Sequence, residues 1–341
     1  MSELESSPYR CPATLSALAP GKDGDRIEVL RNDEGHTYAV EDGIPNLTHP
    51  RELLERVAAT AAAYNQMAGL AYEAAMEWQF AAAREDEETV REKMVDLLHL
   101  MPGQRVLEIG CGSGRDSFRI GRRLGGSGSL FLQDLSRNMI LCCREKLTTE
   151  AAEGKTACDL RFHVSNASYL PFEDGFFDAV FHFGGFNEFG DQRRAANEMA
   201  RVTKLGGRVV FGDETVAPWL RGTEFEKIVV NNNPLFKNRA PIRMIPHCAR
   251  EVAIRWIIGG CFYLIDYTKG EGLPDWDLDL PHRGRRGGTL RTRYFGNLEG
   301  VTLETKQKAL EAAARSGQSM HEWLDAVVRR EAENQLGDSA E

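Results

Sequence analysis

The segment Arg105-Val-Leu-Glu-Ile-Gly-Cys-Gly-Ser-Gly-Arg-Asp116 constrains the fold more than any other stretch of the chain. The apolar run Val106–Ile109 reads as a buried parallel strand, and a helix-like segment follows from Asp116 to Arg123. Between them stand Gly110, Gly112 and Gly114. A strand that turns this sharply into a helix beneath a ligand needs residues without a Cβ, for positive φ and for close backbone approach. Gly-x-Gly also opens dinucleotide sites, but that pattern places its last glycine three residues after the second. Here Arg115 occupies that position, and a carboxylate, Glu108, stands two residues before the first glycine.

Beyond this loop, strand-like and helix-like runs alternate, as a parallel α/β sheet requires. Ser129–Leu132, Leu160–Val164, Asp178–His182 and Arg208–Phe211 read as strands, with helices over Ser136–Leu147 and Gln192–Val202. Val252–Ile258, the turn Gly259-Gly260 and Phe262–Tyr267 read as a hairpin closing the sheet. Upstream, the stretch from Arg51 to about Ala83 is helical and Ala-rich. In Asp86–Leu100 the apolar residues Val90, Met94, Leu97 and Leu98 recur at helical steps.

The Glu-x-Gly-x-Gly-x-Gly loop resembles motif I of the class I S-adenosylmethionine (SAM) methyltransferases, and the resemblance spans residues 60 to 268. The stretch from Leu170 to Glu214 resembles the "type 11" branch, which includes quinone-biosynthesis C-methyltransferases. The implied fold is α/β: a Rossmann-like, seven-stranded sheet with an antiparallel last strand, a small N-terminal β unit and a helical C-terminal tail. The implied methyl donor is SAM, with S-adenosylhomocysteine as product. Its ammonium and sulfonium suit an acidic neighbour. In the resemblance Glu108, Gly110, Cys111, Gly112, Gly114 and Asp116 surround the donor's methionine part. Asp134, some twenty residues past the loop, takes the ribose hydroxyls, with Leu135 and Met139 beside it. Asn166-Ala167, before Tyr169-Leu-Pro-Phe172, meets the adenine, Asn standing where the family has Asp. Phe183 and Gly184 follow the fourth strand, and Tyr64 and Tyr72 close over the donor from the preceding helices.

A sulfonium methyl is already activated, so alignment and desolvation account for much of the chemistry. A base is needed only where the nucleophile keeps its proton near neutral pH. His182, Asn187, Asp213 and Glu214, with His247 from an insert over residues 215–250, are the candidate catalytic groups. Trp219, Phe225, Phe236 and Met244 of that insert offer an apolar acceptor wall or simply the insert's own core.

Residues 1–50 are expected to form a front unit, 51–102 a helical cap and lead-in, 103–270 the donor-binding core and 271–341 an Arg-rich loop with helices. Ile27–Leu30 and His36–Val40, flanking Asn32-Asp-Glu-Gly35, signal a hairpin. Tyr9-Arg-Cys-Pro12 and Asp42-Gly-Ile-Pro-Asn46 resemble a small zinc-ribbon-like domain found before some methyltransferases, including rRNA guanine methyltransferases, and as a free-standing activator. The ligand set is degenerate: Thr14, Asp33 and Gly35 replace ligands, and Cys11 with His36 cannot close a tetrahedral site. No metal is expected. Seven cysteines without a Cys-x-x-Cys pair point to reduced thiols in a cytoplasmic protein, and no run suits a membrane span.

A net charge of −9 argues against a general nucleic-acid binder. The leading expectation is therefore transfer to a small organic acceptor. The alternatives are an RNA-base methyltransferase, prompted by the front unit and by five arginines within Arg283–Arg293, and a SAM-binding protein without transfer. Helix-like segments Leu303–Ala314 and Ser319–Asn334 carry Met320, Trp323, Leu324 and Val327 on one face, which suits docking on the domain or a homodimer.

Overall fold

The structure, a computed structural model, describes residues 7–23, 26–154, 157–295 and 301–337. The chain divides into two compact units, Met1–Leu273 and Pro274–Glu341.

The larger unit begins with a four-stranded antiparallel sheet, β1 (Ala19–Asp23), β2 (Arg26–Arg31), β3 (Thr37–Glu41) and β4 (Ile44–Pro45), in that order. The β2–β3 turn falls on Asn32–Gly35, where Gly35 takes a φ of 88°. Cys11 turns its thiol to the Tyr38 hydroxyl at 3.2 Å, and Asn32 donates to Ser16 at 2.9 Å and accepts from the His36 backbone at 2.8 Å. Among the described residues no three His, Cys, Asp or Glu side chains are arranged to hold a metal ion. This small sheet packs against the large one. Tyr9 lies against His163 and Phe172, and Leu47 donates its backbone N–H to Val164 at 2.7 Å.

Three helices follow: α1 (Glu55–Met67), α2 (Leu70–Ala83) and α3 (Glu87–Asp96). Gly69, with φ 97°, breaks the long Ala-rich segment into α1 and α2. The Asp86 side chain caps α3 by accepting from the Thr89 N–H at 2.9 Å.

The core alternates β5 (Arg105–Ile109), α4 (Ser117–Leu124), β6 (Ser129–Asp134), α5 (Arg137–Ala152), β7 (Asp159–Val164), β8 (Phe177–Phe183), α6 (Gln192–Val202) and β9 (Thr203–Glu214). A short α7 (Glu224–Asn232) precedes β10 (Ala249–Ile257) and β11 (Phe262–Lys269). The sheet order is β10-β11-β9-β8-β5-β6-β7, and β11 runs opposite to the other six strands. Strands β6, β5 and β8 are covered on both faces, so Val106, Leu107, Leu130, Leu132 and Val180 are fully buried. Chain order reverses about β5 and β8, and the crevice outside their carboxyl ends is where such sheets bind ligands.

The second unit contains α8 (Leu290–Phe295), α9 (Leu303–Ser316) and α10 (Met320–Gly337). Thr302 caps α9, and Gly317, with φ 72°, ends it. Trp323, Leu324 and Val327 are half-buried, and Arg291 pairs with Asp279 at 2.9 Å.

Candidate active site

The glycine loop runs from the end of β5 to α4 with φ of 61°, 53° and 83° at Gly110, Gly112 and Gly114. Positive φ and tight neighbours disfavour a side chain at all three positions. A Cβ would lie 3.3 Å from the His182 ring at Gly110, 3.3 Å from the Tyr72 hydroxyl at Gly112 and 2.9 Å from Cys143 Sγ at Gly114. Asp134 holds the loop from the end of β6, accepting from Gly112 N–H at 3.0 Å and from Ser136 N–H at 2.8 Å. Burial raises its carboxyl to about 6, against the pull of those backbone donors.

A cleft opens above the loop. Glu108, Gly110, Cys111, Gly112, Asp116, Asp134, Leu135, Met139, Asn166, Ala167, Phe183, Gly184, Tyr64 and Tyr72 all line it, whereas Gly114 sits behind the loop against Cys143. Burial pushes the Glu108 carboxyl well above the usual range, and its Oε2 has no hydrogen-bond partner. Asn166 already donates to His49 O at 3.0 Å and accepts from Ser168 N–H at 3.0 Å, which leaves its carbonyl one lone pair.

The roof of the cleft is α1 and α2, where the Tyr64 and Tyr72 rings meet edge-on at 6.5 Å. Charged side chains fasten this roof to the loop. Arg91 of α3 is 4% exposed and bridges Glu87 at 2.6 Å to Asp116. Arg115 joins Glu87 at 2.7 Å to Glu73 of α2, and Glu73 also accepts from Ser113. Sequence reasoning missed this network, because its members are spread across some forty positions with no shared motif.

Of the groups expected to be catalytic, Glu214 reaches the cleft, and His182, Asn187, Asp213 and His247 fall elsewhere. His182 is fully buried inside β8, its Nδ1 2.8 Å from Ile109 O and its ring beneath Gly110; it does not line the cleft. Burial holds the imidazole below its usual range. Asp213 is fully buried and accepts from the backbone N–H groups of Gly185, Asn187 and Glu214, so it shapes the turn after β8. The Asn187 side chain donates to Glu214 O at 2.8 Å. His247 is exposed, and neither it nor Asn187 lines the cleft. In the insert, Phe236 and Met244 pack into the cores while Trp219 and Phe225 are exposed; none of the four reaches the cleft.

A model of the ubiE/COQ5 methyltransferase family matches residues 85–220. Methyltransferase GfsG of Streptomyces halstedii is 30% identical over 220 residues, which is 62% of this chain and 74% of GfsG. The chain belongs to the SAM-dependent methyltransferases. The ubiquinone/menaquinone biosynthesis C-methyltransferase UbiE of Yersinia pestis is 33% identical over 116 residues, covering 34% of this chain and 45% of that protein. A solved SAM-dependent methyltransferase from Aquifex aeolicus aligns with a TM-score of 0.37 and 18% identity over 52% of this chain and 89% of its own.

The methyltransferase's cleft fits its donor chemically. Glu108, with its orphaned oxygen, would hold a positively charged group, Asp134 would take ribose hydroxyls, and the glycine backbone carries no side chain into the space beside them. At the far end of the same cleft are two carboxyls of a different kind. Glu188 accepts from the Tyr64 hydroxyl at 3.0 Å and from Thr60 at 3.4 Å. Glu214, at the end of β9, lines the cleft with Phe183 and Phe262, and its Oε2 is buried without a partner. Glu188 went unnoticed in the sequence because nothing there ties it to Tyr64, 124 positions away.

Proposed function

We propose that this methyltransferase transfers the methyl group to a small organic acceptor held between the roof helices and the carboxyl ends of β8 and β9. The observation that carries this reading is the enclosure of the cleft. Val57, Ala61, Phe80, Phe183, Phe189 and Phe262 make much of its wall apolar, as a small-molecule pocket requires. Bound SAM supplies an electrophilic methyl on a sulfonium. The chain's own residues bind and exclude water: Asp134 orients the ribose, Glu108 and Asp116 receive the cationic end, Asn166-Ala167 meet the adenine, and Tyr64 and Tyr72 cover the reacting face. In-line displacement then needs little beyond orientation and desolvation.

Radiolabelled SAM incubated with the enzyme and a producer-cell extract tests the acceptor class. Label is expected in the small-molecule fraction; label in RNA, or none in either fraction, overturns the reading. No helix of the described residues is long and apolar enough to cross a membrane.

A homodimer through the C-terminal helices belongs to the same proposal. In the Pro274–Glu341 unit Ala313 is the one fully buried apolar side chain among the described residues, while Trp276, Tyr294, Phe295 and Leu303 are each more than 70% exposed. So small a core does not sustain a unit of this size. Light scattering is expected to give twice the chain mass; a monomer that remains folded across this unit would remove the idea.

A further inference from the structure

Each end of the cleft leaves a carboxyl oxygen unsatisfied, Glu108 Oε2 at the donor end and Glu214 Oε2 at the far end. At the far end, Glu214 presents a carboxyl oxygen with no partner, while its neighbour Asp213 has both oxygens committed to backbone N–H groups. The surrounding charge is one-sided. Glu214 faces Asp213, Glu188 and the hydroxyls of Tyr64 and Tyr263. The basic side chains that line the cleft, Arg91 and Arg115, are spent on Glu87, Asp116 and Glu73. At this end Glu188 is positioned by two hydroxyl donors, whereas Glu214, whose carboxyl also meets the Asp213 side chain, keeps Oε2 without a partner.

We infer that Glu214 is the proton acceptor of the transfer and that the nucleophile arrives carrying its proton, as a hydroxyl or an amine. This rests on the small-acceptor reading above and deepens it. The nucleophile–carbon bond forms as the carbon–sulfur bond breaks, sulfur keeps the electron pair as a neutral thioether, and the nucleophile's proton passes to Glu214 and then to solvent. Burial and the neighbouring Asp213 charge raise the Glu214 carboxyl well above the ordinary range, which makes it a stronger base than an exposed glutamate. A cation beside it favours the ionised form, so the group becomes competent once the positively charged donor is in place.

The test uses two donor analogues and no acceptor. S-adenosylhomocysteine lacks the methyl; sinefungin carries a protonated amine where the donor carries its methyl. Calorimetry on the full chain is expected to show sinefungin binding about tenfold or more tighter than S-adenosylhomocysteine, as a close buried charge pair gives. Glu214→Gln should bring the two within about threefold while leaving S-adenosylhomocysteine affinity unchanged, and Glu188→Gln should keep most of the difference. The wild-type enzyme gives a second readout that needs no variant. Sinefungin binding should release more protons than S-adenosylhomocysteine binding, seen as a steeper dependence of heat on buffer ionisation enthalpy. A sinefungin preference that survives Glu214→Gln, or equal proton release for the two ligands, overturns the assignment. Failure of both ligands to bind would instead remove the donor-site reading on which it rests. Amine and hydroxyl acceptors are then told apart by the class of product that carries the label from SAM.

Discussion

One cleft has two ends built on opposite principles. At the glycine-loop end, the geometry is written into backbone: three positive-φ glycines with tight neighbours, and a carboxylate that takes its hydrogen bonds from the loop it holds. At the acceptor end, side chains from α1, the turn after β8 and the end of β9 converge, and one carboxyl oxygen is left without a partner. The first end is fixed by backbone hydrogen bonds to Asp134. The second can change by single substitutions without touching the loop, and that separation lets one donor serve many acceptors.

The two ends are joined through the roof, and breaking the joint should have the largest effect. Arg91 is nearly inaccessible, with carboxylates on both sides, so Arg91→Ala leaves Asp116 uncompensated and Glu87 with Arg115 alone. Removing one partner of a buried ion pair costs about 3–5 kcal/mol. A large fall in the thermal midpoint, with donor affinity lost as well, is expected. A midpoint unchanged by the substitution would mean that the roof is not held by this network.

Next in size is Asp134→Ala, which should weaken S-adenosylhomocysteine binding about 100-fold, since hydrogen bonds to a charged group contribute about 1.5–3 kcal/mol each. The fold should survive, and any difference specific to sinefungin should persist. If sinefungin and S-adenosylhomocysteine lost affinity by very different factors, the two ends of the cleft would not be independent.

His182→Ala should act at the donor end although the residue touches no ligand. Its ring packs beneath Gly110 and its Nδ1 meets Ile109 O, so a loss of about 1–3 kcal/mol in stability and a looser loop are expected. Donor affinity should fall, with turnover at saturating donor little changed. The opposite split would return His182 to the chemistry.

The donor end also carries a pH signature. Burial raises Asp134 to about 6, so the ligand-free folded state holds this proton more tightly than the unfolded chain, where the group titrates near about 3.9. The stability this group contributes is therefore present below about pH 3.9 and is lost as pH rises towards 6. Ribose hydroxyls that donate to Asp134 favour its ionised form, so donor affinity runs the other way. It should be full above pH 6 and fall up to about tenfold per pH unit below it, a slope absent in Asp134→Asn. Donor affinity that is flat from pH 5 to 7 would place the titration elsewhere.

What the sequence disclosed follows the same division. The glycine loop and the place of Asp134 were legible because a close approach of backbone to ligand demands glycine at fixed spacing, whatever the rest of the chain does. The hairpin around Asn32–Gly35 and the break at β10–β11 were legible through turn chemistry. The acceptor end was not. His182 reads as a strand-end residue, but β8 runs one residue further to Phe183, and alternation turns the imidazole inward and Phe183 to the cleft. Asp213 and Glu214 are adjacent and chemically alike, yet only the second reaches the cavity, for the same reason of alternation. The aromatic residues of the 215–250 insert suggested an acceptor wall. The wall comes instead from Phe80, Phe183 and Phe262, and Phe236 of the insert packs with Phe80 and Phe262 without lining the cleft.

The smallest effect is expected where chemistry seemed available and geometry withholds it. His247 is exposed, and its backbone carbonyl serves only to accept from Arg250 at 3.0 Å. His247→Ala should leave stability within about 0.5 kcal/mol and turnover within about twofold of the parent. Measured beside Glu214→Gln, this variant separates two ways of locating a base. One looks for a residue type with a near-neutral proton, which favours histidine; the other looks for an atom that burial has stripped of partners, which favours a glutamate. A marked loss of turnover in His247→Ala, with donor affinity intact, would show that the insert closes over the acceptor during catalysis and would shift the acceptor end from the roof helices to the 215–250 segment.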